Sequence, residues 1–217
     1  MKMAKKLVAV LLAGVLALSV LTACSGGAGP LTKDNVTDYI IDYYKVKGYQ
    51  AEEEQSMESA AQAVLEYVNS KIGESKYNGM ALQEAFSAII EDADEETRKG
   101  WMNSVTLKEG YNYCVNCASV NETYRTDLFN QGKTALIAAA LASEQDQCEI
   151  FSYFWEQAPE RWPSDAGVCV IEGAIGGKEC MVSMLRMPSR AVYPAHHYPN
   201  KGDDNASGDP SSDATTK

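Results

Sequence analysis

Histidine is almost absent from this chain of 217 residues, which contains only His196 and His197. The two are adjacent, and neighbouring side chains of an extended chain point in opposite directions. They lie in a segment rich in proline and tyrosine, whereas a catalytic base or a metal ligand needs rigid neighbours to hold its ring. We therefore expect both to be exposed and inert, which argues against Ser-His or Cys-His hydrolysis.

Basic residues are also scarce once the first 23 residues are set aside. The whole chain has 19 lysines and arginines against 30 aspartates and glutamates. Three of the lysines and none of the acids fall in residues 1–23, so the remainder holds 16 basic and 30 acidic side chains, a net charge of −14. Such a surface repels phosphate, so nucleic acid and anionic lipid headgroups are poor partners for the domain surface, and no nucleic acid partner is predicted.

One long apolar run occupies residues 7–21, after three lysines and before two small residues. This is the layout of an export signal, and the run is too short for a comfortable membrane span. Leu21-Thr22-Ala23-Cys24 resembles a bacterial lipobox, in which the chain is cleaved before the cysteine and the thiol receives a diacylglyceryl group. We expect Cys24 to carry this acyl lipid and no other cofactor to be bound. The alternative is an ordinary cleaved signal that leaves Cys24 as a stray thiol.

The composition divides the chain into four segments. Residues 1–23 are the predicted lipoprotein signal peptide, and residues 24–32 are the lipidated cysteine and a glycine-rich flexible tether. Residues 33–187 are of normal size for one globular domain. Residues 188–217 are rich in proline, tyrosine, aspartate, serine and glycine, with almost nothing apolar from residue 202 onward, and are predicted to be a disordered acidic tail. This order predicts a protein on the extracytoplasmic face of a bacterial membrane, held there by its lipid.

Helical periodicity is clearest in residues 52–72 and 81–93. Residues 35–47 fit either a helix or a strand, and residues 103–120 look irregular or extended. Residues 135–142 are nearly all apolar, which indicates a buried segment. Ser143 and Asp146 resemble a capping signal for a following helix, whose apolar residues would be Ile150, Phe151, Phe154 and Trp155.

Two strands are predicted at residues 166–172 and 178–186, on either side of a hairpin loop at Gly173-Ala174-Ile175-Gly176. In that register Cys169 lies opposite Cys180, at roughly the separation that a disulfide needs. We therefore predict a Cys169–Cys180 disulfide. The fold class that follows is α+β, mainly helical with a C-terminal antiparallel hairpin.

Five cysteines follow Cys24, and an odd number cannot all pair. Cys114 and Cys117 form a Cys-x-x-Cys motif that fits a structural disulfide, either internal or from one of them to Cys148. A metal site lacks the second cysteine pair of a zinc ribbon, so none is predicted. A redox site would need a cysteine of lowered pKa at a helix N-terminus, whereas a turn and two tyrosines precede Cys114. Free thiols are the remaining possibility.

Two other motifs imitate known sites. Residues 91–96 resemble a calcium loop but lack its glycine and its final glutamate, and they fit a helix junction in which Asp94 caps residues 95–101. Residues 173–178 imitate a phosphate loop, yet Glu179 stands where serine or threonine belongs. We expect neither motif to carry chemistry.

Three short motifs resemble the CAP superfamily of secreted cysteine-rich and pathogenesis-related proteins. Residues 64–69 (VLEYVN) are similar to its opening helix, and residues 135–138 (ALIA) fall where the family has Glu-Asn-Ile-Ala. Residues 155–161 (WEQAPER) resemble Trp-x-x-Ser-Pro-x-His, and Gly167-Val168 then opens the hairpin. The resemblance covers residues 57–187 and implies an α-β-α sandwich. The histidines and the motif glutamate of the family's cavity are absent, so its ion binding or hydrolysis is not expected.

The sequence favours a non-enzymatic lipoprotein whose α+β domain binds or supports an envelope protein or a small ligand. We predict no catalytic residue. The alternative is a thiol-disulfide redox lipoprotein that uses Cys114 and Cys117. A solute-binding lipoprotein is disfavoured because such proteins usually need two lobes and a longer chain.

Overall fold

The computed structural model describes residues 31–121, 132–144 and 147–189. The predicted signal peptide, Cys24, most of the tether, both histidines and all but the first two residues of the predicted tail lie outside the described residues. The helices are Lys33–Val46 (α1), Glu58–Lys71 (α2), Leu82–Asp92 (α3), Glu95–Trp101 (α4) and Lys133–Ala142 (α5). The strands are Gln50–Glu53 (β1), Tyr111–Ser119 (β2), Cys148–Tyr153 (β3), Asp165–Ile175 (β4) and Lys178–Pro188 (β5). None of these helices has the length and apolarity of a membrane span.

The five strands form one mixed sheet in the order β1-β4-β5-β2-β3. Strand β1 pairs with β4 in parallel, and the other three pairs are antiparallel. Strands β2 and β5 are therefore neighbours in the interior of the sheet, although 58 residues separate the end of β2 from the start of β5 in sequence. This long-range pairing puts residues from the middle of the domain beside residues from its C-terminal end.

Helices cover both faces of the sheet, and each face has its own core. On one face, here the α2 face, the buried side chains of α2, α3 and α4 pack on the strands through residues such as Val64, Phe86 and Trp101. On the other, the α1 face, α1 and α5 contribute Ile40 and Leu141. The predicted α+β class is confirmed.

Most helix predictions are confirmed. Residues 35–47, left open between helix and strand, form α1, whose Thr32 side chain accepts a hydrogen bond from the Asn35 backbone nitrogen at 3.3 Å. Residues 81–93 form α3, and the apolar residues 135–142 form the buried helix α5. Residues 103–120 contain a short 3₁₀ turn and then the long strand β2.

Two predictions of local structure are wrong. The helix predicted for residues 52–72 begins only at Glu58, because the preceding residues form β1 against β4 and bury Ala51 there. The predicted helix after Ser143 is strand β3, in which Cys148 and Ile150 face the core at a period of two. In both cases, pairing with a strand distant in sequence outweighs the local helical pattern.

The hairpin prediction is correct in kind and wrong in register. Strands β4 and β5 are joined by a two-residue turn, Gly176-Gly177, whose φ angles of 56° and 78° suit glycine. Cys169 consequently lies opposite Met184, and Cys180 lies opposite Gly173. The two cysteines are four register positions apart, and the predicted Cys169–Cys180 disulfide is not formed in the structure.

Candidate functional site

A buried charged cluster lies at the end of the sheet remote from the β4–β5 turn. Its centre is Arg186 of β5, whose side chain is only 1% exposed. Arg186 lies on the α2 face, between Tyr113 of β2 on one side and Gly167 of β4 on the other. A buried guanidinium needs compensating charge and hydrogen-bond acceptors, because arginine does not lose its proton in proteins.

Two carboxylates and an aromatic ring provide this compensation. Arg186 Nε donates a hydrogen bond to Glu54 Oε2 at 2.7 Å, and Nη1 donates to Asp165 Oδ2 at 2.9 Å. The guanidinium carbon lies 4.5 Å from the centre of the Tyr111 ring, and the Tyr111 hydroxyl donates to Asp165 Oδ1. We call Arg186, Glu54, Asp165 and Tyr111 the Arg186 centre.

The residues of the Arg186 centre come from four different places in the chain. Glu54 directly follows β1, Asp165 begins β4, Tyr111 begins β2 and Arg186 lies near the end of β5. The centre thus ties together the ends of four neighbouring strands. Glycine at position 167 is required for this, because a Cβ there would overlap the Glu54 carboxylate.

The electrostatics of the centre favour fixed charges. Burial alone would raise the pKa of the Asp165 carboxyl, but hydrogen bonds from Tyr111 and Arg186 and the arginine charge hold it below its ordinary value. Burial, and then the hydrogen bond to Asp165, raise the pKa of the Tyr111 hydroxyl. Burial likewise raises the pKa of the neighbouring Tyr113. These shifts keep Asp165 ionised and both tyrosines protonated at neutral pH.

One side of the centre is open to solvent. The side chains of Glu54 and Asp165 are 18% and 38% exposed, and Lys108 Nζ lies 4.0 Å from Asp165 Oδ2. The open edge therefore presents a carboxylate and an ammonium group above a buried ion pair. Such an arrangement can hold strand ends in place or accept a polar group, whereas its carboxylate of lowered pKa is a weak base.

The structure separates the cysteines that the motif suggested would act together. Cys114 and Cys117 are both in β2, three positions apart, so their side chains leave opposite faces of the sheet. Cys117 belongs to the core of the α2 face, while Cys114 lies near Tyr44 of the α1 face. Burial, with Glu149 and Cys148 nearby, raises the pKa of the Cys114 thiol to about 12.

The other three cysteines also lie in the core of the α2 face. They are Cys148 of β3, Cys169 of β4 and Cys180 of β5. Burial is the largest influence on Cys169 and raises its pKa to about 11. A hydrogen bond from the Cys117 thiol lowers the pKa of Cys180 against the opposing effect of burial. No disulfide joins any of these cysteines within the described part of the chain.

Only the first of the two imitated motifs has the structure that was expected. The Asp94 side chain caps α4 by accepting a hydrogen bond from the Thr97 backbone nitrogen at 2.7 Å. Residues 173–178 form the β4–β5 turn and its flanks. Among the described residues, no group of three or more histidine, cysteine or acidic side chains is placed to hold a metal ion.

Sequence reasoning missed the Arg186 centre entirely. The predicted helix over residues 52–72 places Glu54 in its first turn, and the predicted strand over residues 178–186 gives Arg186 no partner. One signal was present: Arg186 is the only charged residue in the strand sequence CMVSMLRMP, where burial of the neighbours implies a buried charge with partners elsewhere. The identity of those partners depends on the strand order, which no local pattern encodes.

Comparison of the chain with protein family profiles, with curated proteins and with solved structures gives no match.

Proposed function

We propose that this protein is a lipid-anchored bacterial lipoprotein whose α+β domain has a binding or structural role at the extracytoplasmic face of the membrane. The observation that carries the proposal is the sequence of residues 1–24, where lysines, an apolar run and Leu21-Thr22-Ala23-Cys24 follow one another. Residues 25–30 then act as a short tether, and the partner is an envelope protein or a small ligand.

The charged cluster supports a binding or structural role over catalysis. A general base works best when its pKa lies near the working pH, and the pKa of Asp165 is instead held below its ordinary value. The acceptor oxygens of Glu54 and Asp165 are also engaged by Arg186 and Tyr111. The centre therefore fits a device that stabilises one end of the sheet and leaves a polar edge at the surface.

The geometry of the cysteines argues against the redox alternative. A Cys-x-x-Cys redox site needs two thiols that can bond to each other and one of them ionised. Here, Cys114 and Cys117 leave opposite faces of a strand, and burial raises the pKa of Cys114 to about 12. The two thiols therefore do not face each other, and Cys114 is not the ionised thiol that such a site needs.

The anchor is tested by expressing the full chain in a bacterial host that is fed an alkyne-tagged fatty acid. The variant is Cys24→Ala, and the matched control is Ser25→Ala, which changes the next residue and leaves the acceptor thiol. We expect the fatty-acid label in the wild type and in Ser25→Ala, and complete loss of the label in Cys24→Ala. Retention of the label in Cys24→Ala, or an unlabelled but shortened wild-type chain, would refute the lipid anchor.

A further inference from the structure

We propose that Cys117 and Cys180 form a disulfide that joins β2 to β5 when the exported chain meets a disulfide-bearing oxidant. This pairing differs from those that the sequence suggested. It depends on the proposed function for its oxidising surroundings, and the test below does not use the anchor.

The sheet register places the two sulfurs together. Cys117 lies opposite Val182, and Cys180 lies opposite Ser119, so the cysteines are diagonal neighbours on adjacent strands. Both side chains enter the core of the α2 face, and the two thiols are joined by a hydrogen bond in which Cys117 is the donor. Diagonal cross-strand side chains are within reach of each other, and the hydrogen bond already brings the two sulfurs into contact. Diagonal positions are about 7–8 Å apart, just beyond the usual span of a disulfide, so the backbones of β2 and β5 must move slightly closer for the bond to form.

The register also separates Cys180 from the other candidate partners. Cys169 faces Met184, four positions along β5 from Cys180. Cys148 is in β3, and β2 lies between that strand and β5. Cys114 leaves the opposite face of the sheet. Cys117 is therefore the only one of the other four cysteines that is diagonal to Cys180 on a paired strand. Cys117 is also diagonal to Cys148, which lies opposite Val115, but its thiol hydrogen bond is to Cys180, which favours the Cys117–Cys180 pair.

The chemistry is a two-step thiol-disulfide exchange. The Cys180 thiolate attacks one sulfur of the oxidant's disulfide, which forms a mixed disulfide and releases one oxidant thiol. The Cys117 thiolate then attacks the Cys180 sulfur, which closes the bond and releases the second oxidant thiol. The two cysteine sulfurs lose two electrons to the oxidant's disulfide, and the two protons leave with the two released thiols.

Burial determines when the bond forms. Cys117 is 0% exposed and Cys180 is 1% exposed, so an oxidant cannot reach either sulfur in the folded domain. We expect the bond to close during folding, when β2 and β5 have paired and the helices have not yet covered them. Once formed, the disulfide holds β2 and β5 together near the β4–β5 turn. The Arg186 centre holds the same two strands together at their other ends.

The test is disulfide mapping of the exported chain, purified in detergent with whatever N-terminus the host leaves. The chain is reduced and unfolded, refolded in a mixture of reduced and oxidised glutathione, quenched with acid, alkylated without reduction, digested and analysed by mass spectrometry. The variants are Cys180→Ala and, as a matched control on the same face, Cys169→Ala.

We expect a linked Cys117–Cys180 peptide in the wild type and in Cys169→Ala, and alkylated Cys117 in Cys180→Ala. The wild-type map alone decides the question if a variant fails to fold. Alkylation of both cysteines in refolded wild type would overturn the proposal, and so would a bond from Cys117 to Cys148. An unmodified Cys24 would refute the anchor and leave this result standing.

Discussion

The carboxylate of Glu54 occupies the space that a side chain at Gly167 would need, and from there it accepts a 2.7 Å hydrogen bond from Arg186. A glycine in β4 thus permits an acid that follows β1 to reach an arginine in β5. The Arg186 centre exists because these three residues fit together, and each can be tested by substitution.

The first prediction concerns Gly167→Ala. The added Cβ must push the Glu54 carboxylate away from Arg186, so we expect the free energy of unfolding to fall by about 2–3 kcal/mol. In a Glu54→Ala background the carboxylate is absent and only the Cβ of residue 54 remains, at 3.1 Å from the added Cβ, so the same change should cost less, about 1 kcal/mol. Gly100→Ala, where a Cβ meets nothing within 4 Å, is the control and should be neutral or stabilising. Urea denaturation of the wild type, the two single variants at positions 54 and 167 and the double variant measures these free energies. An equal cost of Gly167→Ala with and without the Glu54 side chain would refute the overlap.

The two acids of the centre should differ in importance. The Glu54 side chain is 18% exposed and that of Asp165 is 38% exposed, so water can replace more of what Asp165 provides. We expect Glu54→Gln to lower the free energy of unfolding by about 3 kcal/mol, as when a buried ion pair is broken. Asp165→Asn should cost about 1 kcal/mol. Thermal and denaturant unfolding measure both, and a larger loss in Asp165→Asn would contradict the burial argument.

Acid should weaken the centre through Asp165. Its pKa is lower in the folded protein than in the unfolded chain, where an aspartate titrates near pH ~3.9. A lowered folded-state pKa gives stability that is present above the unfolded value and is lost as the pH falls through the folded value. We expect the stability difference between wild type and Asp165→Asn to be largest at neutral pH and to shrink below pH ~4. A difference that stays constant down to pH ~2 would show that Asp165 keeps its ordinary pKa.

Cys114 should be inert toward alkylation in the folded protein. Its pKa of about 12 leaves almost no thiolate at pH 8, and its side chain is 7% exposed. We expect iodoacetamide to modify Cys114 only as fast as the domain unfolds, and adding denaturant to accelerate the modification at least about a hundredfold. Peptide mass spectrometry after timed alkylation follows the reaction. Rapid modification without denaturant would revive the redox interpretation of the Cys-x-x-Cys motif.

The sequence predicted elements whose signal is local. The stripe of apolar residues in α3 and the Asp94 cap of α4 depend on neighbours within one or two turns, and both are confirmed. The second half of β1 and the whole of β3 fall within predicted helices, because the partners with which these strands pair lie more than 30 residues away. Glu54 and Arg186 are also far apart in sequence, so no local pattern predicts that their side chains form an ion pair.

Register was the other source of error. Extending β4 and β5 to a two-residue turn at Gly176-Gly177 moved Cys180 away from Cys169 and beside Cys117. Glycines at both turn positions were a visible signal for the tighter turn. The choice of Cys117 as neighbour depends on β2 inserting next to β5, which no pattern within the hairpin encodes.

The measurement that tests the central claim most directly is the mass of the N-terminal peptide of the protein isolated from a bacterial membrane. The account predicts that this peptide begins at Cys24 and that its mass exceeds that of the bare sequence by a diacylglyceryl group, with or without a further acyl chain. A mature chain that begins at any other residue, or one that begins at an unmodified Cys24, would contradict the account.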